Sequence, residues 1–100
     1  MSNIFCENQR FLQSMLGYCY EKGIGTKIDE QKAFELYQKS ANLGNMTAQY
    51  NLGIMYENGK GTTKNIETAI YWYKRSAKQG YYDAKNRLLM LKIINNSYFI

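Results

Sequence analysis

The sequence predicts an all-α protein built as two helix-turn-helix repeats followed by one more helix, and three observations carry that prediction. The chain matches itself without a gap when shifted by 36 residues. Within each copy the apolar positions recur at the three-and-four spacing of an α-helix. Alternation of apolar and polar residues, the mark of a half-buried strand, is sustained nowhere. One hundred residues, 45% hydrophobic and 21% charged, suffice for one globular domain. We read a single domain over 1–100, with repeat one at about 12–47, repeat two at 48–83 and a partial third unit or capping helix at 84–95.

The repeat is dense. Leu16-Gly17-x-x-Tyr20-Glu21-x-Gly23-x-Gly25-Thr26 returns as Leu52-Gly53-x-x-Tyr56-Glu57-x-Gly59-x-Gly61-Thr62. Gln13, Ala33, Tyr37, Ser40, Ala41 and Gly44 return as Gln49, Ala69, Tyr73, Ser76, Ala77 and Gly80. Those are 13 identities, where ordinary residue frequencies give about two or three.

Each element follows from local chemistry. The first helices are expected at roughly 8–22 and 46–58, and each carries a mid-helix glycine, Gly17 and Gly53. Glycine there costs up to about 1 kcal/mol against alanine, so a matched pair implies a neighbouring helix too close for a Cβ. A Gly-x-Gly loop of about seven residues follows. Asp29 and Asn65 then stand where a side-chain oxygen can accept the free N–H groups of a helix start. The second helices bury Ala33, Leu36, Tyr37, Ser40 and Ala41, repeated as Ala69, Trp72, Tyr73, Ser76 and Ala77. Gly44 and Gly80 suit the left-handed turn that ends a helix. The third copy keeps Ala84 and Leu88 and then diverges through Leu89, Leu91, Ile93 and Ile94. It either caps the array or marks an edge where a longer array or a second copy joins.

The pattern Ala48…Leu52-Gly53…Tyr56…Gly59…Gly61, then Ala69…Tyr73…Ala77…Gly80, resembles the Sel-one-like repeat, a relative of the tetratricopeptide repeat. The resemblance covers about 12–91. Repeat one departs at Leu12, where the family expects alanine, and the third copy departs at Leu89 and Lys92. What it implies is a right-handed α-solenoid acting as an adaptor or regulatory scaffold, with a partner segment held in a concave groove lined by the first helices. Carried over by register, the groove positions are Phe11, Ser14, Tyr18 and Glu21, then Thr47, Tyr50, Ile54 and Glu57, then Asn86, Met90 and Ile93. Tyr18 and Tyr50 combine area with a polar tip and are the strongest contact candidates. Some bacterial relatives pin each helical pair with a disulfide; Cys6 and Cys19 lack that spacing, and Cys19 aligns with Met55 as a small apolar filler.

Catalytic, metal and cofactor chemistry find little support. The chain has no histidine, hence neither the usual general base nor the commonest zinc ligand, and two cysteines cannot complete a structural zinc site. Gly59-Lys60-Gly61-Thr62 fails as a phosphate loop, with Ile54 in place of the first glycine and Gly61 where Ser/Thr must hold magnesium. The dinucleotide fingerprint fails at Ile28 and Lys64. Glu21 and Glu57 are read as solvated helix formers before a shared acidic spot, and Ser40 and Ser76 as packing residues. We expect no enzyme, no metal and no cofactor.

Charge is uneven. Residues 1–59 hold five basic and six acidic side chains, net −1, while 60–100 hold eight and two, net +6. The basic set, Lys60, Lys64, Lys74, Arg75, Lys78 and Lys85 with Arg87 and Lys92, supports a rival reading as an RNA- or anionic-surface-binding module. These residues are spread out, with no run of five, so a solvated face outranks a nucleic-acid site. The start lacks a signal-peptide pattern, and no apolar run reaches membrane length, so an intracellular, cytoplasmic protein is expected, with other proteins as partners and self-association open.

Overall fold

In the computed structural model five helices follow one another: α1 (Ile4–Lys22), α2 (Glu30–Asn42), α3 (Met46–Asn58), α4 (Ile66–Lys78) and α5 (Tyr82–Tyr98). The model describes the backbone of residues 4–98 and the side chains of residues 8–92; the expectation for Ile93 in the groove and the environment of Cys6 lie outside the described side chains. No strand occurs among the described residues. Each helix packs chiefly on the one before it and the one after, which makes the molecule an all-α solenoid with extents of 48 × 37 × 17 Å.

The helix starts are set by side-chain caps. Asp29 Oδ1 accepts from the Lys32 N–H at 3.0 Å, and Asn65 Oδ1 accepts from the Thr68 N–H at the same distance. A third cap, Asn45 Oδ1 to the Ala48 N–H at 2.8 Å, starts α3. α2 and α4 end as expected on Gly44 and Gly80, whose φ of 97° and 99° only glycine adopts without strain. α1 begins at Ile4, earlier than the expected residue 8, because Ile4 to Asn8 holds no glycine or proline to stop it.

Packing within a repeat rests on one contact made twice. A Cβ on Gly17 would lie 2.9 Å from the Tyr37 ring, and one on Gly53 would lie 2.5 Å from Tyr73 Cε1. The close neighbour inferred from the mid-helix glycines is therefore a tyrosine ring of the second helix. Beside it, Ser76 Oγ donates to the Met46 carbonyl at 2.7 Å, and Ser40 Oγ donates to the Arg10 carbonyl. Both serines are fully buried, so the hydroxyls tie helix to helix.

Between repeats, Ala33, Tyr37, Ala41, Ala48, Leu52, Met55 and Trp72 form one apolar core, with Phe34 and Tyr56 against it. The Phe34 and Tyr56 rings meet edge-to-face with centroids 5.3 Å apart. Fully burying each large apolar side chain contributes about 1.5–3 kcal/mol. Gln49 crosses the same interface, donating from Nε2 to the Ala41 carbonyl at 3.2 Å and accepting from Gln79 Nε2 at 2.9 Å.

Candidate partner-binding groove

α1 and α3 lie side by side on one face of the array, and the space between them is an open cavity of about 410 Å3. α1 supplies Phe11, Ser14, Met15, Tyr18 and Cys19, the α1–α2 loop supplies Ile24, and Asn45, Thr47 and Asn51 form the α3 wall. Phe11, Met15, Tyr18 and Ile24 are each about half exposed. The groove is thus an apolar floor with an amide rim.

Four of the sequence-derived positions, Phe11, Ser14, Tyr18 and Thr47, meet in this cavity. The other positions among the described side chains sit elsewhere. Tyr50 packs against the Tyr73 and Tyr81 rings, with centroids 5.8 and 5.2 Å away. Burial and the nearby Asp83 carboxylate push its hydroxyl pKa up. Ile54 is half-buried, Asn86 is exposed, and Met90 is exposed on α5. The register explains the split. Asn45 and Asn51 of the open groove correspond to Tyr81 and Arg87 one repeat on, and those larger side chains fill the interval between α3 and α5 against Tyr50 and Glu57.

The two glutamates correct the sequence reading. Tyr37 Oη donates to Glu21 Oε1 at 2.8 Å, and Tyr73 Oη donates to Glu57 Oε1 at 2.7 Å. Burial and these carboxylates raise both phenol pKa values far above the ordinary range, so the hydroxyls act as neutral donors. Glu57 is only 8% exposed and is gripped by Arg87, from Nε to Oε1 at 2.8 Å and from Nη2 to Oε2. The guanidinium contacts hold its carboxyl below the usual value, with the Tyr73 hydrogen bond adding to them. Glu57 is neither a solvated helix former nor an accessible acidic spot. Sequence reading missed this pairing because Arg87 lies 30 residues away on another helix.

Cys19 lies on the groove wall, among apolar side chains. Met55, its counterpart, is fully buried in the core between repeats, whereas Cys19 is half-buried. Met15, Ile24, Asn45 and Asn51 line the groove unforeseen. A signal for two of them was present, since Met15 and Ile24 replace the polar Asn51 and Lys60 of repeat two.

The basic residues are dispersed. Lys60 and Lys64 stand exposed on the α3–α4 loop, Lys74 and Lys78 on α4 and Lys85 on α5. The Arg75 guanidinium lies 5.1 Å from the centre of the Trp72 ring, and Arg87 is committed to Glu57. Arg10, Arg75 and Lys78 border a second, polar cavity of about 380 Å3 beside the C-terminal ends of α2 and α4. Cations there complement the free carbonyls, as Arg10 Nη1 does in donating to the Leu43 carbonyl at 3.3 Å. Among the described residues no three His, Cys, Asp or Glu side chains group as a metal site, and no helix is long and apolar enough to cross a membrane.

Residues 12–45 and 47–81 match the Sel1 repeat family model. The chain belongs to the Sel1 repeat family. A putative sel1-like repeat-containing protein of Acanthamoeba polyphaga mimivirus is 54% identical over 39 residues, 39% of this chain and 7% of the viral protein. Among solved structures, a Sel1 repeat protein from Oxalobacter formigenes superposes with a TM-score of 0.85 at 34% identity, over 89% of this chain and 37% of that one. Cysteine-rich protein B of Helicobacter pylori gives 0.75 at 30% identity, over 79% of this chain and 59% of that one. This Sel1 repeat chain therefore spans only part of each relative. Sel1 repeat proteins are generally non-catalytic protein-interaction scaffolds.

Proposed function

We propose that this chain is a protein-interaction module that holds an apolar, helix-forming segment of a partner protein in the groove between α1 and α3. The observation that carries the reading is the residue content of the groove floor. Phe11, Met15 and Ile24 stand exposed there, at positions where repeat two has Thr47, Asn51 and Lys60. Exposed apolar side chains in a concavity favour a partner's apolar face, since both lose water-facing area on contact. Tyr18 adds a large rigid surface with a polar tip, the kind of residue that dominates binding energy.

The test is a nuclease-treated pull-down comparing the wild-type chain with a Phe11→Ser/Tyr18→Ser variant. Both side chains are about half exposed, so the variant is expected to keep its helical circular dichroism. Defined proteins should bind the wild type and be lost with the variant. Capture that ignores the variant and falls steeply with salt would overturn the groove reading and turn attention to the basic half.

A further inference from the structure

The polar cavity at the C-terminal ends of α2 and α4 shares no residue with the groove between α1 and α3. Arg10, Gly44, Gln49, Arg75, Lys78 and Gln79 line it, three cations with no acid among them. A cation beside a helix C-terminus ordinarily serves the open carbonyls there, but in this cavity other donors already do so. The Leu43 carbonyl accepts from Arg10 Nη1, the Ala41 carbonyl from Gln49 Nε2 and the Gly44 carbonyl from Gln79 Nε2. At the end of α4, the Ser76 carbonyl accepts from the Gln79 and Tyr81 N–H groups and the Ala77 carbonyl from the Gly80 N–H. Among the described residues neither Arg75 nor Lys78 bonds to a carbonyl or a carboxylate.

Arg75 is held for a different partner. Its guanidinium carbon lies over the Trp72 ring, 5.1 Å from the centre, and 5.8 Å from the centre of Tyr71. Its Nη1 also donates to Tyr71 Oη at 3.4 Å. Trp72 is nearly buried, so the ring under the guanidinium is fixed in place. A guanidinium laid on an aromatic ring keeps in-plane N–H groups for a planar oxyanion. Repeat one has no such arrangement: Glu35, Leu36, Lys39 and Asn42 stand where repeat two has Tyr71, Trp72, Arg75 and Lys78.

The cations select an anion, and the helix ends select its charge. α2 and α4 both turn their negative, C-terminal ends toward the cavity. A phosphate, with roughly two charges, is disfavoured there and finds its natural seat at helix N-termini. A carboxylate carries a single charge and matches the arginine fork with two parallel hydrogen bonds. The volume of about 380 Å3 is at the small end of ligand-sized concavities, about 300–1,000 Å3, and suits one or two side chains. We propose that this cavity docks an acidic segment of another protein, seating an aspartate or glutamate carboxylate on Arg75 and Lys78.

The test uses a tetraglutamate peptide, blocked at both ends and carrying an uncharged dye, followed by fluorescence anisotropy at about 50 mM salt. The wild-type chain should bind it, and unlabelled tetraglutamine should not compete. Arg75→Gln/Lys78→Gln should weaken binding about tenfold or more. Lys60→Gln/Lys64→Gln removes the same charge from the α3–α4 loop and should weaken it less than about twofold. Arg75→Lys keeps the charge, loses the fork and should weaken binding several-fold. Trp72 is the lone tryptophan, so its emission should change as unlabelled tetraglutamate saturates the wild type. Should the double variant lose its helical dichroism, Lys78→Gln alone, at an exposed position, should still show a smaller loss. Phe11→Ser/Tyr18→Ser should bind the peptide as the wild type does, which separates failure of this site from failure of the groove. No binding at millimolar peptide, equal losses in the two glutamine pairs, or full-strength binding by Arg75→Lys would each overturn the proposal. So would displacement by inorganic phosphate at lower concentration than by unlabelled tetraglutamate.

Discussion

Glu21 and Glu57 share a register and a tyrosine donor, and Glu57 also holds the Arg87 guanidinium. The difference comes from residue 87, whose counterpart one repeat earlier is Asn51, a groove residue. Removing Arg87 would leave a nearly buried carboxylate with the Tyr73 hydroxyl alone. We expect Arg87→Met to cost about 1–2 kcal/mol at pH 7, read by urea unfolding, with little change in helical content. The sign with pH follows from the depressed carboxyl. Its contribution is complete above the ordinary value of 4.5 and is lost as pH falls through the lower folded-state value. Unfolding midpoints of wild type and Arg87→Met should therefore converge as the solution is acidified below pH 4.5. A gap that stays constant down to strong acid would show that Arg87 acts through packing of its stem and not through the ion pair.

At the scale of the element, the first and second helices of each repeat are locked by a glycine opposite a tyrosine. Alanine at an ordinary helical glycine gains up to about 1 kcal/mol. At Gly53 the added methyl would stand 2.5 Å from a fully buried ring, and overpacking of that kind costs about 1–3 kcal/mol. Gly53→Ala should lower the melting temperature despite its better helix propensity, and the same substitution should cost less in a Tyr73→Leu background, which already lacks the ring and its hydrogen bond to Glu57. An unchanged or higher melting temperature in the single variant would mean that the ring has room to turn aside. These elements were legible in the sequence because they depend on neighbours a few residues apart. The caps at Asp29 and Asn65, the turns at Gly44 and Gly80 and the span of α3 all follow from local chemistry. The glycines announced a close approach, but not that an aromatic ring makes it. The placements of Glu57, Tyr50 and Cys19 depend on what the next or preceding helix brings, and a register carried along the chain does not contain that.

For the molecule as a whole, stacking of each helix on its sequence neighbours makes stability a sum of adjoining contacts. α2, α3 and α4 each have a helix on either side, and the fully buried Tyr37, Leu52, Met55 and Tyr73 belong to them. Native-state hydrogen exchange should find their amides slowest, with α1 and α5 opening at lower free energy. Uniform protection across all five helices would indicate a single cooperative unit instead. The same geometry explains why repeat one, identical to repeat two at so many positions, presents a different surface: among the described residues no helix lies against its outer flank. Sequence identity fixes which faces are apolar, and position in the stack decides which of them meet water.

The predominance of contacts between consecutive helices also bears on how the chain finds its structure. A helix that packs on the next one closes only a short stretch of chain, so the entropic cost of each step is small and the search is fast. The interface between α2 and α3, where Ala41, Ala48, Leu52 and Met55 meet, can form before either end of the chain is in place. In the folded chain the flank of α1 that carries Leu12 and Leu16 stays exposed to water.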